Sequence, residues 1–464
     1  MCHAVGGEPL GSPAALVPPP QPLMHPRRAR RETIRTSLRA SVKDAIAFSV
    51  MNGAGERYVA PFVILGGSTL WQLAAITALP LLGGAIVQQI AANVTDSLGR
   101  RKHVYLAAAI GQALLWIPFS IAIFLPATPS YWLMLAAYVL MTIGHNISLP
   151  AWFSTMGDLV PTSRRGRYFG FRNFLSGWVV IAAFLGGGAW LTASDGLPGL
   201  PAWGLSGREC GFLTLFVIAG IARAVSAYYL DRMTEPPYVA PREDRFTFRQ
   251  FLRRMPQGQF GRFVIYRAGV QAGQIILLTY VSWYMLDQLH LSPLVYAWIM
   301  TANLAATYAT QPYWGRLADR LGNKHVLALG GIAAAATPVL LLFSDNPWYY
   351  GAVLLYDGIT VSAIGMAGSN YLLDIVTPSK RARCIAFGNV FTGLGSVLGA
   401  FAGVLVATAT PYVAPLWQST LGGDGPHPFV LILLATVVLR VLPNVTLLPT
   451  FHEARLGLPK AARR

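Results

Sequence analysis

The sequence predicts an all-α membrane protein in which twelve transmembrane helices form two pseudo-symmetric six-helix bundles. Three observations carry that reading. The 464 residues are 54% hydrophobic and only 12% charged, against about 25% charged in ordinary soluble domains. Apolar runs recur at the length needed to cross a hydrocarbon core of about 30 Å, which takes about 20 helical residues. A charged turn between two such runs occurs twice, as NVTDSLGRRKHV at 93–104 and as GRLADRLGNKHV at 315–326.

The elements follow in order. Residues 1–42 are Pro-rich, then Arg-rich, with no apolar core before residue 45. They read as a flexible cytoplasmic tail rather than a cleaved signal peptide. The Arg pair is not followed by the apolar segment of a twin-Arg signal, and Met24 is a second candidate start of translation. Spans near 44–67, 71–92, 104–125, 131–156, 168–193 and 211–230 make an N-terminal bundle over 43–230. A polar, Arg- and Pro-rich stretch at 231–259 is the cytoplasmic linker. Spans near 260–287, 294–314, 326–344, 348–373, 384–410 and 428–448 make a C-terminal bundle over 260–449, and 450–464 is a second cytoplasmic tail.

Orientation follows from the placement of Lys and Arg, which concentrate in cytoplasmic loops. With the N-terminus cytoplasmic, 30 of the 36 Lys and Arg fall on one side and only Arg208 falls in a loop on the other. Arg57, Arg172, Arg223, Arg267 and Arg440 lie within spans. A span count wrong by one would put every later turn on the wrong face. The net charge of +17 would suggest nucleic acid for a soluble protein. Here it is the charge of one membrane face, and no nucleic-acid partner is expected. Cys2, Cys210 and Cys384 show neither a disulfide framework nor a metal spacing, so no cofactor or metal is expected.

The repeated turn is one of several matches between the halves. DLVPTSRRGRYFGFRN from Asp158 is similar to DIVTPSKRARCIAFGN from Asp374, Gly55-Glu56 to Gly273-Gln274, and Arg223 to Arg440, at offsets of 216, 218 and 217. Such a repeat is a common way to build a secondary transporter, with the substrate site between the halves.

At these residues the chain resembles the major facilitator superfamily, whose turn after span 2 reads G-x-x-x-D-R-x-G-R-[RK]. The second copy fits at Gly315, Asp319, Arg320, Gly322 and Lys324. The first has Ala92 for the leading Gly and Ser97 for the Arg, and keeps Asp96, Gly99, Arg100 and Arg101. The run from Pro161 through Arg164, Arg165, Gly166 and Arg167 resembles a bacterial branch without a defined substrate. The resemblance covers about residues 43–449 and implies the major facilitator fold. It also implies a cytoplasmic latch at Asp96, Arg100, Arg101, Gly315, Asp319, Arg320, Gly322 and Lys324, with Asp158, Arg167, Asp374 and Arg383 as partners. Physically, an Asp at a helix end can accept hydrogen bonds from a neighbouring helix N-terminus, where the dipole favours an anion. The plainer alternative is that these charges only anchor the turns.

Charges inside spans need a reason, because a charge at bilayer centre costs about 2.5–3.5 kcal/mol on insertion scales. Glu56, mid-span in NGAGERYVAP, is a candidate for loading a proton or touching substrate; the alternative is a structural pair with an Arg of another helix. Asp357 in span 10 is the second candidate, with a solvated vestibule as its alternative. The resemblance implies that spans 1, 4, 7 and 10 line a cavity. That adds His145, Asn146, Arg267, Gln271 and Gln274; His145 is a group able to titrate near neutral pH. Arg172 and Asn173 are candidates for a cytoplasmic gate, although Arg172 could also be satisfied by snorkelling.

The expected function is a secondary active transporter that moves a small organic solute by alternating access, coupled to protons, in the bacterial inner membrane. Both termini are cytoplasmic, and the protein works as a monomer. It is not expected to be an enzyme. An uncoupled facilitator is the main alternative. A non-transporting sensor would normally carry a further soluble domain, and a membrane-embedded transferase needs clustered acid–base groups; His145 has no acid within helical reach before Asp158. The drug-antiporter pattern G-x-x-x-G-P-x-x-G-G is absent from span 5, which has no Pro. That lowers multidrug export.

Overall fold

The computed structural model describes residues 26–98, 100–161, 165–236, 248–255, 258–376, 381–421 and 425–452. The described chain is a series of long helices. The first rod is continuous from α1 (Pro26–Met51) through a π-helical turn (Asn52–Glu56) into α2 (Arg57–Leu65). Next come α3 (Leu70–Leu98), α4 (Arg101–Ala122), α5 (Ala127–Leu159), α6 (Arg165–Asp195) and α7 (Gly207–Asp231). A short α8 (Phe248–Arg254) precedes α9 (Gln259–Trp283), whose last turn continues as a π segment, Tyr284–Gln288. The chain closes with α10 (Pro293–Leu321), α11 (Asn323–Leu340), α12 (Pro347–Ile375), α13 (Arg381–Leu421) and α14 (Pro428–Thr446).

Local chemistry sets several of these ends. Ser206 and Glu209 form a reciprocal capping box at the start of α7, satisfying two backbone donors that the helix cannot satisfy itself. Ser292 and Asn346 cap α10 and α12, each followed by a proline at the first helical position, where the missing N–H costs nothing. Gly322 separates α10 from α11 at φ +91°, a backbone region that disfavours any side chain. This is why the second copy of the turn holds a glycine there.

Among the described residues, nine helices are long and apolar enough to cross a membrane: α3 to α7, α9 and α12 to α14. The first rod, α10 and α11 fall outside that criterion. The rod carries a basic first half, and the last part of α10 holds Arg316, Asp319 and Arg320. Large apolar side chains such as Leu114, Trp132, Phe174, Ile221, Ile332, Leu398 and Val438 face outward. That much outward apolar surface suits lipid rather than water, and the chain is a multi-pass membrane protein.

The helices pack in a repeated order. Before the linker, α3 lies on α5, α5 on α4, α4 on α7, α7 on α1 and α1 on α6. After it, α10 lies on α12, α12 on α11, α11 on α14, α14 on α9 and α9 on α13. The two sets meet along α3 with α13 and along α6 with α10, with smaller seams of α2 and α3 on α9. At one end of these seams Thr279 Oγ1 lies 3.4 Å from Thr77 Oγ1, the Leu294 N–H donates to Thr192 Oγ1 at 3.1 Å, and Trp71 packs on Phe401. Toward the other end Asn389 donates to Gln88 at 2.7 Å.

Two boundaries differ from the sequence reading. Residues 26–42 are helical rather than a flexible tail, because their inner face has partners. Tyr168 donates to the Leu38 carbonyl at 3.1 Å, the Thr234 N–H donates to Ser37 Oγ at 3.0 Å, and Ala40 is buried. The stretch read as a linker contains α8, whose Phe248 and Phe251 pack on Phe387. Residues 1–25, 237–247 and 453–464 lie outside the described chain.

Candidate functional site

The π turn in the first rod is built from NGAGE, residues 52–56. Its glycines are poor helix formers and are also required by close approach. A Cβ on Gly55 would lie 2.5 Å from both Ala219 and Trp116, and one on Gly53 would lie 2.6 Å from the Val180 carbonyl. Single π turns inside α-helices are frequent at functional sites, and this one presents Glu56. Asn52 Nδ2 donates to Glu56 Oε2, and Glu56 makes no ion pair among the described residues. The alternative, a structural pairing with an arginine, keeps support from the charge of Arg223 on α7, which acts on Glu56 without a direct contact. Arg57 instead lies over the Phe184 ring, 5.6 Å from its centroid, and its Nε is buried without an acceptor.

A buried polar chain joins α1, α4, α6 and α7 beside this turn. Arg223 Nε donates to Gln112 Oε1 at 2.7 Å, and its Nη1 donates to Ser226 Oγ. Ser226 Oγ donates to Asp44 Oδ1 at 2.7 Å, and the other Asp44 oxygen takes Arg172 Nη2 at 3.2 Å. Arg172 also lies 4.5 Å from the Trp152 ring centroid, so it turns inward rather than snorkelling. His145 stacks on Phe48 at 5.6 Å, and Arg223 sits 5.2 Å from the same Phe48 ring. Asn146 donates to the Thr142 carbonyl of its own helix at 2.9 Å. Asn173 is exposed.

The second half holds the counterpart. Arg440, 4% exposed, donates through Nη1 to Asp357 Oδ1 at 2.7 Å, and Asp357 is 0% exposed. Thr337 donates to the same oxygen at 3.0 Å, while Asn303 and Gln274 reach the other at 3.1 and 3.4 Å. Gln274 Oε1 accepts from Arg440 Nη2 at 2.7 Å, and the remaining Arg440 donors take the Ala334 and Gly273 carbonyls. Every part of this pair is therefore satisfied, which a buried ion pair needs to offset its desolvation. Asp357 does not face a solvated vestibule; it is sealed.

A cavity of about 150 Å³ lies over that pair, in the C-terminal half. Arg267, Gln271 and Gln274 of α9 line it together with Arg440, so three predicted cavity residues converge here. Thr392 and Ser369 supply hydroxyls; Val270, Val361 and Ile364 supply apolar wall. Glu56, His145 and Asn146 do not line this cavity.

At the repeated turns the residues hold helices of one half together. Arg101 is buried, and its Nη1 reaches Asp158 Oδ2 at 2.7 Å and Ser154 Oγ at 2.9 Å. Its Nη2 donates to the Pro236 carbonyl at 3.0 Å, and its backbone N–H donates to Glu235 at 2.6 Å. This ties the start of α4 to the end of α5 and to the chain leaving α7. In the second half Asn323 donates to Asp374 at 2.8 Å, and Lys324 donates to the Phe451 carbonyl at 2.6 Å. Gly315 lies within α10, Gly322 is the turn itself, and Arg100, Arg167, Asp319 and Arg320 are exposed. Arg383 is half-buried at the start of α13. The Asp96 side chain lies outside what is described.

Sequence reasoning missed Asp44, Asn52, Gln112, Ser226, Glu235, Asn303 and Thr337. The signal for two of the networks was present in the matched pair Arg223 and Arg440, each of which needs a buried partner. Uncharged partners such as Gln112 and Thr337 carry no mark that separates them from other polar residues in spans.

Comparison with known proteins agrees with this geometry. The model of the Major Facilitator Superfamily matches residues 47–270 and 263–460. Tetracycline resistance protein, class B, of Escherichia coli is 30% identical over 101 residues, 22% of this chain and 25% of that one. Vacuolar basic amino acid transporter 1 of Saccharomyces cerevisiae is 29% identical over 156 residues, 33% of this chain and 25% of that one. The match thus spans about a quarter of the length of these relatives. Among solved structures, a mutant of the nucleoside transporter NupG superposes with a TM-score of 0.65 at 13% identity, covering 90% of this chain and 100% of that one. A bacterial homolog of the human lysosomal transporter Spinster, inward-facing and unoccupied, gives 0.64 at 16% identity, covering 90% and 96%. At such identities the likeness is one of fold. With a family match that runs over nearly the whole chain, this protein belongs to the major facilitator superfamily.

Proposed function

We propose that the chain is a secondary transporter for a small organic solute, working by alternating access between an N-terminal bundle, 43–230, and a C-terminal bundle, 260–449. The observation that carries this reading is the repeated order of helix packing, with the two sets touching along a few seams. Two units that are each internally continuous can tilt about such seams and open a shared space to one side at a time. Internal clamps such as Arg101 with Asp158 keep each unit rigid as it moves. In this reading all twelve rods span the inner membrane of a bacterium, both termini are cytoplasmic, and the monomer is the working unit. Arg100 and Arg320 are exposed and within reach of partners across the halves in another state of the cycle.

Proton coupling rests on Glu56. It sits on the π turn without an ion pair among the described residues, so it can take up a proton without breaking one. An uncoupled facilitator is the second reading. It is favoured by the position matching Glu56 being Gln274, and by Asp357 being fully engaged by Arg440. Counterflow and gradient-driven uptake in proteoliposomes separate the two. Proton coupling predicts that Glu56→Gln retains solute exchange but loses accumulation driven by a pH gradient. Wild-type accumulation in that variant would remove Glu56 as the coupling group, and a wild type that exchanges solute but never accumulates it under a pH gradient would leave the facilitator.

A further inference from the structure

We propose that the cavity over α9 takes a small organic anion, whose carboxylate or phosphate group sits on Arg267 and whose apolar body lies on Val270, Val361 and Ile364. This deepens the transporter reading and rests on it.

With Glu56, Asp357, Arg57 and Arg267 all in candidate cavity spans, the sequence alone left an anion, a zwitterion or a polar neutral molecule open. The structure sorts them. Asp357 is sealed behind Arg440, with both oxygens occupied by four side chains. Glu56 lies in the other half and is bonded to Asn52. Among the described residues, no acidic side chain lines the cavity. Its wall holds two arginines, and they differ. Arg440 has spent its donors on Asp357, Gln274 and two carbonyls. Arg267 has no hydrogen-bond acceptor, carboxylate or aromatic ring as partner among the described residues, and no neighbouring charge bears on it.

A guanidinium held within a membrane span is costly unless something neutralises it, and such groups mark substrate pathways. The described residues supply nothing of opposite sign at Arg267, and the proposal gives that part to the occupant. A guanidinium fork suits an oxyanion, which it can bind through two parallel N–H bonds. Gln271, one turn further along α9, and the Thr392 and Ser369 hydroxyls can satisfy further oxygens. The apolar wall leaves the rest of the molecule without need of charge. A cationic solute would face Arg267 directly.

The test is thermal stabilisation of the purified full chain by matched pairs: benzoate against benzamide, lactate against lactamide, and glycerol phosphate against glycerol. Concentrations up to about 50 mM reach millimolar dissociation constants. At least one anion should raise the unfolding temperature while its neutral counterpart does not. Arg267→Gln should weaken that anion's binding about tenfold or more, and Arg267→Lys, which keeps the charge but not the fork, should lose less. If Arg267→Gln does not fold, the anion-against-neutral comparison in the wild type still decides. The inference is overturned if no anion stabilises, if the neutral partners stabilise equally, or if Arg267→Gln binds the anion as the wild type does. Counterflow of the same solutes keeps the two claims apart. Transport of a neutral or cationic solute would sink the anion assignment alone, whereas an anion that binds but is never transported would sink the transporter reading.

Discussion

At the scale of single residues, the structure turns isolated charges into pairs. Asp357 and Arg440 depend on each other: removing one leaves the other buried and unpaired, which costs about 3–5 kcal/mol. Asp357→Ala and Arg440→Ala should therefore each lower the unfolding temperature sharply in detergent. The double variant should be less destabilised than the sum of the two, because neither charge is then stranded. Equal, additive losses would mean that the pair does not act as a unit. Glu56, Asp357 and the arginines were legible in the sequence as residues out of place in a span. Their partners were not, since a helical period does not say which neighbouring helix a side chain meets. The clearest case is Asp44. It lies at the very start of a predicted span, where a carboxylate needs no explanation, yet it joins Arg172 to Ser226 and Arg223.

At the scale of elements, the long apolar helices were readable from length and composition, whereas the caps at Ser206, Ser292 and Asn346 that set their ends were not read. What was not readable was the π turn in the first rod. NGAGE marks a weak place in a helix, but the close fit of Gly55 against Trp116 and Ala219 needs three helices in position. Gly55→Leu should overfill this contact and destabilise the fold by about 1–3 kcal/mol, read as a lowered unfolding temperature; an unchanged temperature would show that the rod is free to back away. The helical stretch before residue 42 was likewise hidden, because the Leu38 carbonyl and the Ser37 hydroxyl meet Tyr168 and Thr234 from distant elements. The reach of α13 to Leu421, beyond its predicted end at 410, shows that a helix need not stop where its apolar run does.

At the scale of the whole molecule, the duplicated sequence features and the duplicated packing order agree. The repeat in sequence is sparse, a handful of charged and glycine positions, whereas the repeat in packing extends to every long helix. That difference is physical. Apolar positions facing lipid tolerate exchange of one large side chain for another, while a turn glycine or a buried arginine does not. The two halves meet at Thr77 and Thr279 on one end of the seams and through Gln88 and Asn389 toward the other. In the proposed cycle, tilting loosens one end while it tightens the other.

Pulsed electron–electron resonance distances in lipid nanodiscs test this most directly, with Cys2, Cys210 and Cys384 replaced and spin labels placed in pairs. One pair is Thr69 with Gln288, on the loops at the α2 and α9 ends; the other is Arg100 with Leu321, on the two repeated turns. The account predicts two populations for each pair, shifting in opposite directions when pH is changed or a transported solute is added. A single fixed distance at both ends under every condition, or both distances changing in the same direction, would contradict it.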